Sequence, residues 1–313
     1  MENPIDDIKI SIASSINKFL QINFIHKTDL SYNYKRNCFQ TAILFNKKED
    51  VRISYIKKLK SFHSNDFKLL TSNNFINIKI YPKIITNFLS KFLQYITLTK
   101  RSLTPIDYFI YYKTKESLSN IKSKAFINAQ ENLLDFYGYS VNKFFEEKPF
   151  YKKPLSIEFK LKEFHFSYGI NNLLESPLLY KKFSAKYLNL LTLSKSSNSF
   201  FYDKKMQKKL NTKNPLYVTA YVIARLNHLS FDKNTVNRAI SHDKIASIGL
   251  MLAEILDNKK IALSIAPLME VLMIACKDVY KNGFYSFNSN DLCYHINIID
   301  FLTNISQTTF FYY

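Results

Sequence analysis

The sequence predicts an α+β protein with a small N-terminal α/β unit, a central strand–helix–strand unit and an all-helical C-terminal region. Near the N-terminus, one segment of alternating apolar and polar residues lies between segments of helical spacing. In the centre, a helical segment separates two apolar ones, and beyond residue 184 helical spacing is almost continuous. Since a single core seldom exceeds ~250–300 residues, we expect domains at 1–100, 101–183 and 184–313.

Three elements define the N-terminal unit. Residues 5–24 carry a helical stripe, and residues 74–80 alternate as a strand does. Pro82 is suited to the first position of the helix that follows. The first stripe contains Ile8, Ile12, Ile16, Phe19 and Leu20.

The central unit reads as a crossover between two parallel strands. Residues 106–112 form an apolar segment typical of a buried strand, and residues 119–137 have helical spacing. Gly138 suits the left-handed position that ends such a helix. Residues 141–145 are the expected second strand, so the unit is predicted as a strand–helix–strand crossover.

The C-terminal region is predicted as an antiparallel helical bundle. Short polar joints separate its helical segments, and short joints favour antiparallel neighbours. The predicted helices cover residues 184–194, 214–229, 235–257, 261–280 and 290–305.

Only four glycines occur in the chain, and no two lie close together. Both the P-loop and the dinucleotide-binding fingerprint need clustered glycines around a phosphate. P-loop hydrolases and glycine-fingerprint dehydrogenases are therefore excluded.

The chain is strongly basic, with 44 Lys and Arg against 25 Asp and Glu and a net charge of +19. Residues 51–100 and 151–250 hold most of the excess, whereas residues 251–313 are close to neutral. A basic region on an apolar support fits nucleic-acid binding, and a lysine-rich solvated surface remains the alternative.

No cofactor, metal or membrane anchor is expected. Three cysteines without a C-x-x-C pair and six scattered histidines give no ligand cluster, and they suit the reducing cytoplasm. The acidic N-terminus lacks the features of a secretory signal. The most apolar segment, 261–276, is shorter than the ~20 residues of a membrane span.

Segment 214–225 resembles the Asn-Pro-Val-Tyr-Tyr-Val-Gln-Tyr-Ala-His-Ala-Arg segment of arginyl-tRNA synthetases, with six of twelve positions identical. In that family the segment opens the helical anticodon-binding domain of the DALR type. Ser184-Ala185-Lys186-Tyr187 lies where the family has Asp-Ala-Leu-Arg. Residues 290–312 are similar to a later helix of the same domain.

Two further segments resemble the same family in the correct order. Residues 74–78 with Pro82 are similar to the Gly-Phe-Ile-Asn-Phe strand of the family's N-terminal tRNA-binding domain. Residues 133–141 resemble the Leu-Leu-Glu-Phe-Leu-Gly-Tyr-x-Val that ends the first helix of its Rossmann-like catalytic core. The resemblance therefore implies that residues 101–183 are a shortened remnant of that core.

The signatures of ATP chemistry are missing. The family's His-Ile-Gly-His motif falls on Ser117-Leu118-Ser119-Asn120, and these side chains carry no positive charge for adenylate formation. Losing such preorganised donors costs typically ~3–4 kcal/mol each. Residues 162–168 stand where the Lys-Met-Ser-Lys-Ser motif is expected and do not match it. Catalytic residues are therefore predicted to be absent.

Candidate tRNA-binding residues follow from spacing and from the resemblance. Tyr217, Tyr221 and Arg225 share one helix face, which could meet RNA bases or pack in a bundle core. Phe75 and Asn77 share a strand face, with a core Phe75 and a turn-capping Asn77 as the alternative. The resemblance adds Asn214 as a further candidate. Four lysines at helical spacing could neutralise RNA phosphates or form a solvated helix face: Lys204, Lys205, Lys208 and Lys209.

The leading hypothesis is a tRNA-binding protein similar to an arginyl-tRNA synthetase, without catalytic activity and with tRNA(Arg) as the implied partner. It needs no cofactor, and a second protein that acts on the tRNA is conceivable. The first alternative is a divergent arginine–tRNA ligase that uses ATP. The second is a protein-interaction scaffold without an RNA role.

Overall fold

The structure is a computed structural model with mixed α/β architecture. In the part of the chain it describes, it contains eight α-helices and three small sheets. The described residues are 2–71, 75–97, 104–111, 121–146, 156–160, 165–166, 193, 199–200, 215–227, 243–257, 261–283 and 289–306.

The chain divides into two compact units. The first comprises Met1–Thr97, Asn234–Lys259 and Ser289–Tyr294. The second comprises Leu98–Lys233, Lys260–Asn288 and His295–Tyr313. The function assigned to each predicted domain stays a prediction.

The first unit combines a four-stranded antiparallel sheet with four helices. The strand order is β1-β2-β4-β3. Its strands are β1 Ser31–Asn33, β2 Cys38–Thr41, β3 Phe67–Thr71 and β4 Ile76–Ile80. Its helices are α1 Ile5–Leu20, α2 Glu49–Leu59, α3 Pro82–Thr97 and α6 Asp243–Asp257.

The predicted elements of the first unit are confirmed. In β4 the isoleucines at 76, 78 and 80 are buried, so alternation sends Asn77 and Lys79 to the opposite face. Helix α3 begins at Pro82, and proline is favourable there because the first N–H of a helix makes no hydrogen bond within the helix. In α1 the stripe is buried except at Phe19, whose ring packs edge-on against Phe62 at 5.0 Å.

Helix α6 lies in the first unit, whereas the sequence placed segment 235–257 in the C-terminal bundle. Helical spacing shows that a helix has an apolar face, but it does not show which element packs against that face. Here, ion pairs with α1 identify the neighbour of α6. The buried Lys9 of α1 has its Nζ 2.9 Å from Glu254 Oε2 and 2.8 Å from Asp257 Oδ2. Asn3 Nδ2 donates to the Ala253 carbonyl at 2.7 Å, which joins the chain's start to the same helix.

The second unit contains a three-stranded parallel sheet and four helices. The sheet order is β6-β5-β7, and β8 pairs with β9 separately. Its strands are β5 Thr104–Tyr111, β6 Tyr139–Glu146, β7 Ser156–Lys160, β8 His165–Phe166 and β9 Ser199–Phe200. Its helices are α4 Ile121–Phe136, α5 Pro215–Asn227, α7 Ile261–Asn282 and, for the most part, α8 Ser289–Ser306.

The predicted crossover is confirmed, because β5 and β6 are parallel and α4 connects them. Gly138 adopts a φ of 87° between α4 and β6, as the predicted helix end requires. Tyr108 of β5 is fully buried, and its hydroxyl donates to Gln130 Oε1 of α4. Neither a Rossmann-like core nor an anticodon-binding bundle is established by this arrangement.

Candidate nucleic-acid interface

One face of the four-stranded sheet carries polar side chains, and we name it the polar face. The register places Gln40 between Ser31 and Asn77. Opposite Asn77 on the other side lies Leu70. The polar face consists of Ser31, Asn33, Cys38, Gln40, Lys68, Leu70, Asn77 and Lys79.

A directed chain of amide hydrogen bonds crosses this face. Asn33 Nδ2 donates to Gln40 Oε1 at 2.8 Å, and Gln40 Nε2 donates to Asn77 Oδ1. The start of the chain is held because the Arg36 backbone N–H donates to Asn33 Oδ1 at 3.1 Å. Since Asn77 Oδ1 accepts, its Nδ2 is the donor at the end of the chain. It donates to no other described residue.

Cys38 also contacts Asn77 Oδ1. Its Sγ lies 3.8 Å from Asn77 Oδ1. Burial raises the pKa of the Cys38 thiol, so the group stays protonated and remains a donor at neutral pH. The Asn77 amide is thus fixed from two neighbouring residues of β2.

Phe75 lies two residues before Asn77, where the chain approaches β4. Its side chain is 39% exposed, so the alternative of a core phenylalanine is wrong. Asn77 lies inside β4 and accepts across the sheet, so the alternative of a turn cap is also wrong. An exposed ring and a half-buried amide donor therefore lie two residues apart at the start of β4.

This combination suits an unpaired nucleobase. Proteins recognise unstacked RNA bases by stacking on aromatic rings and by hydrogen bonds to base edges. The Asn77 Nδ2 can donate to a base carbonyl or ring nitrogen, while Phe75 offers an apolar surface. The arrangement supplies no nucleophile and no general base.

A second surface is built from three tyrosines of α5 and α7, which we name the tyrosine cluster: Tyr217, Tyr221 and Tyr280. Tyr217 and Tyr221 stack at 5.9 Å between ring centroids. Tyr280 meets both rings edge-on, at 6.0 Å and 5.5 Å. Tyr221 is 39% exposed and Arg225, one turn further along α5, is exposed too. The predicted face is therefore accessible, with Tyr217 half-buried.

The other predicted site residues lie outside the described residues. These are Asn214, Lys204, Lys205, Lys208 and Lys209, together with the degenerate motif at Ser117, Leu118, Ser119 and Asn120. Predictions that rest on them stay predictions.

Sequence reasoning missed Asn33, Gln40 and Tyr280. Gln40 precedes Asn77 by 37 residues, and only the β2–β4 register brings the two amides together. Tyr280 lies on α7, and its partners lie on α5. The sequence signal that could have identified Asn33 and Gln40 is the occurrence of polar residues at alternate positions of short apolar segments.

Within the described residues, no three side chains of His, Cys, Asp or Glu are grouped as metal ligands. None of the described helices combines the length and apolar character that crossing a membrane requires. Comparison of the chain with protein-family models, with curated proteins and with solved structures finds no match.

Proposed function

We propose that this chain is a tRNA-binding protein of the arginyl-tRNA synthetase type that does not charge tRNA. The proposal combines the resemblance of several segments, which occur in the family's order, with the chemistry of the polar face. tRNA(Arg) is the partner that the resemblance implies.

The amide chain that ends at Asn77 beside Phe75 carries the proposal. Among the described residues, this network ends in the Nδ2 donor of the half-buried Asn77, which has no acceptor among them, whereas a purely structural network would satisfy its members internally. Because hydrogen bonds in a chain polarise one another, the terminal donor is strengthened. A base in a tRNA loop offers both the ring and the acceptor that these two side chains would bind.

The tyrosine cluster supports the same proposal from the second unit. Exposed tyrosine next to arginine is a common surface for stacking RNA bases. Such stacking tolerates any base, so the cluster would add affinity without selecting a sequence.

The absence of charging follows from the sequence at residues 117–120. Serine, leucine and asparagine cannot supply the positive charge that two histidines place at the ATP phosphates in the family. ATP and arginine are substrates only under the alternative of a divergent ligase.

Filter binding of purified protein to total tRNA, over a salt series, tests the binding proposal. We expect saturable binding at low salt that weakens as salt rises, because phosphate contacts release counterions. tRNA(Arg) should compete better than other tRNAs. Failure to saturate at low salt would contradict the proposal and leave the scaffold alternative.

Incubation with labelled arginine, ATP and total tRNA tests the second half of the proposal. We expect no charging above the control without enzyme. Charging above that control would make the chain a ligase.

A further inference from the structure

Two lysines lie directly opposite each other on the polar face. Lys68 of β3 pairs with Lys79 of β4 in the antiparallel register, and both side chains are exposed. Directly opposed residues of an antiparallel pair have Cβ atoms only ~4.5–5.5 Å apart. The two side chains therefore leave the sheet at neighbouring points of its surface.

This pairing is unfavourable without an anion. Like charges directly opposite each other destabilise a sheet. Among the described residues, no carboxylate lies within 4.0 Å of either lysine nitrogen. An anion bound between the two lysines would offset the repulsion between their charges.

The pair continues the surface around Asn77. Two residues along a strand span about 6.8 Å, which is the separation of Lys79 from Asn77. Leu70, opposite Asn77, is 48% exposed, and Tyr81, just after β4, is 39% exposed. Cations among exposed rings and apolar groups fit a nucleic-acid strand better than they fit a small ion.

We propose that Lys68 and Lys79 together bind one phosphate of an RNA strand whose neighbouring base lies at Phe75 and Asn77. The RNA rests on the proposed function, but the anion site itself does not. The same two lysines would bind a free polyphosphate anion more weakly, because it lacks the contacts of the base.

Thermal unfolding in pyrophosphate tests the anion site without RNA. At constant ionic strength, pyrophosphate should raise the unfolding midpoint of the wild type more than that of Lys68→Gln, Lys79→Gln or the double variant. Lys57→Gln, which removes one exposed charge from α2, is the matched control and should respond as the wild type does. An equal rise in all variants overturns the proposal.

Filter binding of total tRNA tests the site with its intended ligand. Either single variant should weaken binding about fivefold at low salt and reduce the slope of log K against log salt by about 0.7, the value for one phosphate of a single strand. Because both lysines hold the same phosphate, the double variant should lose little more than either single one. If the losses of tRNA affinity in the two single variants add up in the double variant, or if they equal the loss in Lys57→Gln, the lysines act only through the overall positive charge, and the proposal is overturned.

The two assays separate the failures. A wild type that responds to pyrophosphate through these lysines but binds no tRNA keeps the anion site and loses the proposed function. A wild type that binds tRNA unchanged by both lysine substitutions keeps the function and loses the anion site.

Discussion

The two candidate RNA surfaces differ in how their groups are held. On the polar face, three amides bind one another through fixed strand registers, and the last one presents a donor. In the tyrosine cluster, rings on two helices pack against each other at 5.5–6.0 Å between centroids. The first surface offers directed hydrogen bonding, and the second offers aromatic area.

This difference separates selectivity from affinity. A site built to hydrogen-bond a ligand rejects one that lacks the matching group, because its own polar atoms then lie unpaired. Stacking accepts every base, since every base has an aromatic face. We therefore expect the polar face to discriminate among bases and the tyrosine cluster to bind them without preference.

The largest expected effect concerns the ion pairs that join α1 to α6 in the first unit. Lys9→Met removes the buried cation between the part-buried carboxylates of Glu254 and Asp257, whose side chains are 15% and 24% exposed. Breaking a fully buried pair costs typically about 3–5 kcal/mol, so we expect a loss toward the lower end of that range. The pKa of Lys9 reflects this environment: burial alone would lower it, but the attraction of both carboxylates raises it. Chemical denaturation should show a large loss in the unfolding free energy.

Lys91→Met is the matched control, since Lys91 forms an exposed ion pair with Asp7. Exposed pairs contribute little, so this variant should unfold almost as the wild type does. Equal stability of the two variants would contradict the assignment of α6 to the first unit.

The next effect concerns Asn77. Asn77→Asp keeps an oxygen for Gln40 but replaces the Nδ2 donor with an acceptor, so tRNA binding should weaken by about 1–3 kcal/mol, or about fivefold to more than a hundredfold. Asn23→Asp, the matched control, makes the same change at an exposed position of the first unit. Filter binding that falls equally in both variants would point to net charge alone.

Alkaline pH should destabilise the protein. Burial raises the pKa of Tyr95 to about 12, so between pH 10 and 12 the unfolded chain ionises this phenol while the folded chain keeps the proton. The unfolding free energy therefore falls as pH rises, by about 1.4 kcal/mol per pH unit for each such proton. The raised pKa of Lys9 acts in the same direction above pH 10.5.

Tyr95→Phe should flatten this pH dependence, as measured by denaturation at several pH values. Tyr81→Phe removes an exposed phenol and serves as the comparison. An unchanged slope in Tyr95→Phe would show that the buried phenol does not ionise on unfolding in this range.

The smallest effect is expected in the tyrosine cluster. Tyr221→Ala removes one exposed ring, but Tyr217 and Tyr280 remain, so tRNA binding should fall by less than about 1 kcal/mol. The loss should be the same for every tRNA tested. Tyr139→Ala, another exposed tyrosine of the second unit, is the control. A loss that depends on the tRNA would assign selectivity to this cluster.

Local patterns in the sequence predicted the elements well. The alternation that predicts a strand, the proline at the start of α3 and the glycine after α4 each have a short-range physical cause. The structure contains the strand over Ile76–Ile80 and both of the other features. Partners distant in sequence were not predictable. Lys9 and Glu254 lie on helices whose spacing looks the same whether they pack together or elsewhere.

The candidate site shows the same limit. Phe75 and Asn77 could be named because they lie two residues apart in one segment of alternating residues, although only Asn77 lies within β4. Gln40 could not, because it meets Asn77 only through the pairing of β2 with β4, and these two strands do not follow one another along the chain. Asn33 could not, because its role depends on Gln40. The residues that form an amide network across a sheet can be identified only when the pairing register of the strands is known.

Chemical probing of tRNA bases in the complex tests the central claim most directly. The claim is that Phe75 and Asn77 bind one unpaired base. The wild type should protect one loop base at its hydrogen-bonding edge, and Phe75→Ala and Asn77→Asp should each lose that protection while other protections remain. A complex that protects no loop base, or that protects the same bases in both variants, would contradict the claim.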